Sequence, residues 1–471
     1  MRVGAVRNAI ISIVFAFVLP LALSAQESAP TSTDPELIAA TALLRDGQLA
    51  AAKGRFLLLV DSQDWHVRFE SRFQLGMIAS VEKDYPAAIK RFLSILAENP
   101  TLARVRLELA KAYFLSGNYS EAAYHFQFVK ADGSAPKDVL ERVDEFIEAA
   151  RRQKNWSVAF AVGIAPDTNL NTSGGGRQCV LTVFGQFCTE PNERNSGFGL
   201  RVLSTVNYYL RLTEDWGIRS TVGLSATDYP MSRYDDYILS LASGPRYIFG
   251  SGEVSLQPTY SRRWLYGKEF NQAAGVRSDA NWDIAPQWVL GIGASALHNL
   301  YDNPQNSAYQ GNTYAFYITP RYVIDNRSFV NLDMGYARDS LNASEHSADS
   351  YTLGAGYFIQ SAFGLAFSAN VSATRVLHDA PNLSYDELYL YDQDTWDYIG
   401  NSCKWRGGFM LWCYKPKRDT VWQSNFSIMS EKWNLMGLFP SLRYTFIKRE
   451  STINMHEYER HRVEVLANMK F

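Results

Sequence analysis

The feature that most constrains this chain is a two-residue alternation of apolar and polar side chains in long segments from Trp156 onward. A segment with this period is a β-strand with one apolar and one polar face. The alternation is clear in Phe198–Leu212, Tyr314–Asp325 and Val330–Tyr336, and again in the segment that ends at Phe471. A soluble β-sandwich alternates in the same way, so this pattern alone leaves two architectures open.

Three further features favour a membrane barrel over a sandwich. The segments often span 12–16 residues, against about 5–6 residues in strands of globular proteins. Their polar face carries Arg, Asp, Asn and Gly, which suits a wet lumen better than a dry core. Tight turns such as Thr213–Asp215 and Ala285-Pro286 alternate with connections that are often longer, such as 166–195 and 379–418. Short turns on one rim and long loops on the other are typical of bacterial outer-membrane barrels.

We count fourteen strands in 156–471 and predict a closed, antiparallel transmembrane β-barrel. Because the number is even, both ends of the barrel lie on one side, which we expect to be the periplasm. Open strand edges cannot persist in a bilayer, so the first and last strands must pair. The predicted strands lie near 156–165, 196–212, 216–229, 234–249, 253–266, 269–284, 287–301, 312–325, 328–340, 350–362, 364–378, 418–433, 435–449 and 457–471.

Residues 26–155 are predicted to form a separate domain of helical repeats in the periplasm. A large, a small and a Phe residue recur in register, as Leu49, Ala52 and Phe56, then Tyr85, Ala88 and Phe92, then Tyr119, Ala122 and Phe126. This spacing of 34–36 residues resembles tetratricopeptide repeats. A single helix pair cannot bury its own apolar stripe, so the repeats must stack. We interpret the three Phe residues as core packing, and 137–152 as a capping helix.

The first 25 residues are predicted to be a secretory signal peptide that is cleaved after Ala25. Arg2 and Arg7 precede a stretch of 15 almost wholly apolar residues, and small residues follow near the expected cut. The alternative is a transmembrane anchor, but this stretch is short for about 30 Å of hydrocarbon.

Four cysteines form two close pairs, Cys179 with Cys188 and Cys403 with Cys413. An even number of cysteines in an exported chain favours disulfides. A zinc site is the alternative, but neither pair has CxxC spacing and no His lies nearby. Both pairs are expected in loops outside the cell. Two interpretations of the loop 379–418 stay open. Its disulfide braces an exposed loop, or the loop plugs or gates the lumen.

Other functional classes find little support in the sequence. A formal net charge of −2 argues against a general nucleic-acid binder, because such a protein needs a basic field. The chain has no GxSxG, no P-loop, no GxGxxG before a helix and no HExxH. His456 and His461 are five residues apart, which places them on opposite faces of a strand. We therefore predict no catalytic residues, no cofactor, no metal and no enzymatic activity.

The segment Val162–Asn171 carries a more specific signal. It resembles the Pro-Asp-x-Asn-x-Asn segment that opens the barrel of the surface lipoprotein assembly modulator (Slam) family. The last strand, from Glu459 to Phe471, is similar to the basic, aromatic-ended last strand of that family, with Phe471 closing the barrel. The combination of repeats and a fourteen-stranded barrel resembles the family over nearly the whole mature chain. The motif positions are Pro166, Asp167, Asn169 and Asn171.

The resemblance implies translocation of a partner protein across the bacterial outer membrane. The implied clients are surface lipoproteins or soluble secreted proteins, among them proteins that bind metal, haem or host iron carriers. Outer-membrane lipids, the barrel assembly machinery and periplasmic chaperones are further expected partners, and nucleic acid is not. Two alternatives stay open. One is an exopolysaccharide exporter, which also joins helical repeats to a barrel, and the other is a passive porin or nutrient receptor.

Overall fold

The computed structural model describes residues 34–132, 135–177, 179–182, 185–188, 193–361, 364–380, 388–390, 403–406, 410–414, 416–430, 433, 438–453 and 456–470. The predicted signal peptide, residues 1–25, and Phe471 lie outside these ranges. The chain divides into two compact units between Arg91 and Phe92.

Seven helices precede the first barrel strand within the described ranges. Asp34 caps the first helix, because its carboxylate accepts hydrogen bonds from the backbone N–H groups of Glu36 and Leu37. None of the described helices has both the length and the apolar content to cross a bilayer. The helices are α1 (Pro35–Arg45), α2 (Leu49–Leu59), α3 (Trp65–Val81), α4 (Tyr85–Glu98), α5 (Ala103–Leu115), α6 (Tyr119–Asp132) and α7 (Lys137–Gln153).

Within each unit, helices pack around the residues that repeat in the sequence. Phe56, Phe92 and Phe126 are fully buried, as expected for core positions. In the first unit, Phe56 packs with Leu37 of α1 and Leu75 of α3. In the second unit, α5, α6 and α7 share a core of their own. Its buried members are Ala110, Phe114, Ala122, Phe126, Val129, Val143, Ile147 and Ala150.

Fourteen strands form the closed antiparallel barrel that the sequence predicts. Consecutive barrel strands pair with each other, and the first strand also pairs with the last. The barrel strands are β1 (Trp156–Asp167), β2 (Gly197–Arg211), β3 (Trp216–Asp228), β4 (Asp236–Phe249), β5 (Gly252–Leu265), β6 (Lys268–Ala285), β7 (Trp288–Tyr301), β8 (Gly311–Asp325), β9 (Ser328–Leu341), β10 (Ala348–Gln360), β11 (Leu365–His378), β12 (Arg418–Ser430), β13 (Phe439–Ser451) and β14 (Tyr458–Lys470).

The two ends of the barrel differ in their connections. We call the end of the barrel where β1 begins the helix rim, since only two residues separate α7 from β1. The described turns of this rim are tight, for example between β4 and β5 and between β6 and β7. The opposite end, the loop rim, carries the longer connections, with one exception. Tyr266 and Gly267 alone join β5 to β6, and both have positive φ, as two-residue hairpin turns require.

The two faces of the barrel wall differ as the alternation predicts. Large apolar side chains stand on the outer face and remain exposed, among them Phe198 at 63 %. Their neighbours along the strands point inward and include Arg201, Asn207, Asp279 and Asp333. A continuous apolar exterior around a polar interior is the arrangement that a lipid bilayer stabilises.

The two cysteine pairs lie in small sheets outside the barrel wall. Cys179–Thr182 pairs with Gly185–Cys188, and a disulfide joins Cys179 to Cys188. A second sheet contains Leu388–Leu390, Cys403–Arg406 and Met410–Tyr414. Its register places Cys403 opposite Cys413. A disulfide there stays a prediction, and so does the role of loop 379–418, since residues 381–387 and 391–402 lie outside the described ranges.

Candidate functional site

The first part of the candidate site is an apolar contact between α6 and the helix rim. Phe128 and Ala131 of α6 form a buried cluster with Val323 of β8. Phe329 and Phe358 pack against this cluster, and their rings stack on each other with centroids 4.9 Å apart. These three barrel residues lie on the inward face of their strands, so α6 lies against the inner wall of the barrel mouth.

Two ion pairs hold α7 to the same rim. Asp283, near the end of β6, accepts hydrogen bonds from Arg151 at 2.5 Å and from Gln127 at 3.3 Å. Arg152 reaches Asp215, in the turn between β2 and β3, at 3.1 Å. The side chains of Arg151 and Asp283 are 13 % and 7 % exposed, whereas those of Arg152 and Asp215 are 30 % and 45 % exposed. Water screens the second pair more strongly, so Arg151–Asp283 contributes more to docking.

A buried arginine connects α5 and α6 to the end of β10. Arg106 donates to the carbonyl oxygen of Pro100 at 2.9 Å and to Oε1 of Gln360 at 3.0 Å. Its guanidinium lies over the ring of Phe128 at 5.2 Å, and Nδ1 of His125 is 3.3 Å from Nη1. A fully buried guanidinium is stable only when such partners replace water. Arg106 therefore links α5 and α6 to the end of β10.

The second part of the site is the seam where β1 pairs with β14, and the sequence motif lies at its loop-rim end. Asp167, fully buried, accepts hydrogen bonds from Nε of Arg460 at 2.8 and 3.0 Å. The buried amide of Asn169 donates to the carbonyl oxygens of Ser173 at 2.7 Å and Glu459 at 2.9 Å. Both motif residues thus tie the exit of β1 to the start of β14.

The other two motif residues lie beside this contact but do not join it. Asn171 donates to the carbonyl oxygen of Glu193 at 2.9 Å and accepts from the N–H of Asn195 at 2.9 Å, so it closes the base of the first loop. Pro166 has no N–H to donate. The register of β1 with β14 passes from Ile164 directly to Asp167, without partners for the two residues between them.

The middle of the seam is tightly packed because Gly163 has no side chain. Gly163 pairs with Arg201 on β2 and with Leu466 on β14. A Cβ atom at this position would lie 1.8 Å from the carbonyl oxygen of Val465. Only glycine therefore allows the backbones of β1 and β14 to approach this closely.

Below the motif, a buried carboxylate collects three arginines. The side chain of Glu464 is 2 % exposed. Its oxygens lie 3.4 Å from Arg201, 3.5 Å from Arg443 and 3.9 Å from Arg462. Glu464 occupies a polar position of the alternating segment that ends at Phe471, and no role was predicted for it. Arg460, Arg462 and Glu464 occupy every second position and so share one face of the strand, which was the signal that could have identified this cluster.

The third part of the site is a cavity of about 420 Å³ on the inner wall near α6, lined by both polar and apolar side chains. Asp333 lies in this cavity and accepts hydrogen bonds from the amides of Asn331 at 3.0 Å and Asn370 at 2.8 Å. Arg321 and Phe358 form its edge towards the helix rim. Among the residues that the structure describes, no group of three or more His, Cys, Asp or Glu side chains is arranged to hold a metal ion.

Comparisons with known proteins agree with this architecture. A family model described as Surface lipoprotein assembly modifier matches residues 156–471, and a tetratricopeptide repeat model matches residues 82–123. The Surface lipoprotein assembly modifier of Pasteurella multocida is 18 % identical over 86 % of this chain and 77 % of its own length. Surface lipoprotein assembly modifier 2 of Neisseria meningitidis is 24 % identical over 82 % of this chain and 76 % of its own length.

Among solved structures, the outer membrane channel DcaP of Acinetobacter baumannii is similar, with 6 % identity and a TM-score of 0.35. It covers 67 % of this chain and 98 % of its own length. A likeness at this level supports no inference about function.

The family match spans the whole barrel, and the repeat match lies in the helical region that precedes it. The predicted fold class and the predicted family are both confirmed. With its closed barrel and apolar exterior, the chain is an outer-membrane protein that belongs to the surface lipoprotein assembly modifier family.

Proposed function

We propose that this chain helps deliver a client surface lipoprotein or soluble secreted protein across the outer membrane, while the helical repeats engage the client in the periplasm. The observation that carries this proposal is the docking of α5, α6 and α7 at one mouth of the barrel. The family name points to the assembly of surface lipoproteins, and we propose no enzymatic activity.

The geometry suggests how a client would pass from the repeats to the lumen. The contacts of Phe128 and Arg151 hold the last repeat helices at the mouth, so a segment released there meets the inner wall without crossing open solvent. The wall offers amide and carboxylate groups, such as Asn331 and Asp333, that can hydrogen-bond an extended backbone. Folding of the client outside the cell would then drive transfer.

The proposal also names partners that the geometry does not identify. Periplasmic chaperones would keep the client unfolded, and the barrel assembly machinery would insert the barrel into outer-membrane lipids. Proteins that bind metal, haem or host iron carriers are the proposed client class.

The test is surface proteomics in a strain that lacks the gene. We expect protease shaving to release at least one protein from wild-type cells that it no longer releases from the deletion strain. The wild-type gene should restore that protein, and a gene with Arg151→Ala should restore less than half of it. The matched control is Arg152→Ala, which breaks the more exposed pair on the same helix and should restore it fully.

Two other outcomes would contradict the proposal and favour its alternatives. Unchanged surface proteins together with a loss of extracellular polysaccharide would indicate an exopolysaccharide exporter. Altered uptake of small solutes, with surface proteins and polysaccharide unchanged, would indicate a porin or nutrient receptor.

A further inference from the structure

The arginines around Glu464 form a cluster whose charge is unbalanced. Arg201, Arg443 and Arg462 all lie within 4 Å of this one carboxylate. Arg460, two residues from Arg462, is already paired with Asp167 and adds no compensating charge. Three cations therefore share a single buried anion, and the cluster carries a surplus of positive charge.

The distances show that Glu464 satisfies these arginines poorly. A charge-assisted hydrogen bond between a guanidinium and a carboxylate is about 2.7–2.9 Å long, whereas the three contacts here measure 3.4, 3.5 and 3.9 Å. Nε of Arg201 and Nε of Arg462 are buried without a hydrogen-bond acceptor among the described residues, and the oxygen nearest to both, Oε1 of Glu464, is buried without a hydrogen-bond donor. Unpaired donors of a buried cation are costly, so a further oxyanion would stabilise this arrangement.

The cluster lies on the inner face of the wall, with Glu464 at the middle of β14. Glu464 alternates with Val463 and Val465 on β14, and Val465 is exposed on the outer face. The neighbouring Tyr229, just beyond the end of β3, is buried. Burial and the Asp167 carboxylate raise its pKa, so its hydroxyl stays neutral and does not supply the missing negative charge. The guanidinium of Arg443 remains partly exposed, which leaves the cluster open to the lumen.

We propose that Arg201, Arg443 and Arg462 form an oxyanion-binding site on the lumen wall beside the β1–β14 seam. The ligand is a carboxylate or phosphate group, carried either by a small anion or by an acidic stretch of polypeptide. Guanidinium groups suit both, because their planar donors match the geometry of two oxygen atoms. This site goes beyond the proposed function, since an anion binds here whether or not a protein passes through the lumen.

The test is isothermal titration calorimetry on the full chain in non-ionic detergent micelles at low ionic strength. One arm uses inorganic phosphate and the other uses a hexaglutamate peptide, so the two sources of the oxyanion are distinguished. We expect at least one probe to bind, with an affinity that falls as KCl is raised. The double variant Arg443→Gln/Arg462→Gln should lower that affinity at least tenfold.

Two single variants separate this site from the general charge of the lumen. Arg277→Gln removes an inward-facing arginine on β6, which pairs with Asp279 at 3.2 Å, and should change the affinity less than twofold. Glu464→Gln removes the competing carboxylate and should tighten binding several-fold, even if the double variant fails to fold. The proposal is overturned if neither probe binds, if Arg277→Gln weakens binding as much as the double variant, or if Glu464→Gln does not tighten it.

Discussion

Asp167 illustrates how one buried carboxylate can hold two ends of a barrel together. It lies at the end of the first strand, yet its partner Arg460 is 293 residues away in sequence. Replacing one member of a buried ion pair leaves the other charge without compensation, at a cost of about 3–5 kcal/mol. The local consequence should appear where β1 leaves the membrane, because Asn169 and Arg460 fasten the same short stretch.

We therefore predict that Asp167→Asn opens the loop-rim end of the seam. Hydrogen–deuterium exchange of the amides in β1 and β14 should rise at least tenfold near residues 164–168 and 460–463. The control is Asn171→Ala, which affects the base of the first loop rather than the strands, and should leave β14 protected. Equal protection of β14 in Asp167→Asn and in the wild type would contradict this role.

A second prediction at the residue scale concerns pH. Burial lowers the pKa of His456, between β13 and β14, to about 4, and the positive charges of Lys417 and Arg449 act in the same direction. Asp419 opposes this shift, while His378 adds to it. In the unfolded chain, His456 binds a proton near pH 6.5. As the pH falls from about 6.5 to 4, protonation of His456 therefore favours a conformation in which the segment around it is exposed to solvent. Above pH 6.5, His456 is neutral in both the folded and the unfolded chain, so its titration no longer destabilises this segment.

We expect limited proteolysis next to His456 to accelerate as the pH falls from 7 to 5. Gln has a similar shape and does not titrate in this range, so His456→Gln should make the cleavage rate independent of pH once protease activity is corrected for. The same acceleration in the variant would show that another group is responsible.

Single-residue roles divide sharply into those that sequence alone predicts and those that it does not. Phe56, Phe92 and Phe126 were predicted as core residues, because the repeat fixes their face of the helix. Asp283 and Arg151 were not predicted as a pair, since 132 residues separate them and each alone resembles a solvated charge. Periodicity identifies the face on which a side chain lies, but not its partner across a long separation.

At the scale of elements, the two ion pairs that join α7 to the barrel can be compared for their contribution to docking. Asp283→Asn removes the negative charge that pairs with Arg151 and leaves only one acceptor oxygen for Arg151 and Gln127, and we expect it to weaken the docking of α7 by about 3 kcal/mol. Asp215→Asn affects the more exposed pair with Arg152, and should cost at most about 1 kcal/mol. Tryptic cleavage within α7 of the intact chain in detergent measures both effects.

The decisive observation is which of the two variants is cleaved faster within α7. Faster cleavage in Asp283→Asn than in Asp215→Asn supports the docking described for α7. If both variants are cleaved at the wild-type rate, then apolar packing of Phe128 and Ala131 alone holds the helices at the rim. Cleavage that is faster in Asp215→Asn would contradict the argument from burial.

Helices and strands were predicted well where the periodicity of apolar residues determines them. The packing of one element against another was predicted less well. The number of strands follows from period-two alternation, and all fourteen were predicted. The association of α5, α6 and α7 with the barrel was not predicted, because helical periodicity gives no information about docking. The two-residue turn at Tyr266 and Gly267 agrees with the predicted strands 253–266 and 269–284, which leave only two residues between them.

For the molecule as a whole, the central requirement is that β1 and β14 meet, because a barrel in lipid cannot keep an open edge. Chain closure brings together strands from opposite ends of a 316-residue segment, the span of the family match. The cost of an open strand edge in lipid predicted that the two strands would pair, but not which side chains would lie at their contact. The structure shows that close packing at Gly163 and the contact of Asp167 with Arg460 achieve it.

The last prediction tests closure of the barrel at Gly163. Gly163→Ala places a methyl group 1.8 Å from the carbonyl oxygen of Val465, so β1 and β14 must separate, at a cost of about 1–3 kcal/mol. Gly335→Ala on β9 is the matched control, because its nearest neighbour, Cβ of Thr352, would lie at an ordinary 3.5 Å. Folded barrels migrate faster than unfolded chains on unheated SDS gels. The folded band should melt at a clearly lower temperature in Gly163→Ala only, and equal melting of the two variants would refute tight closure at this seam.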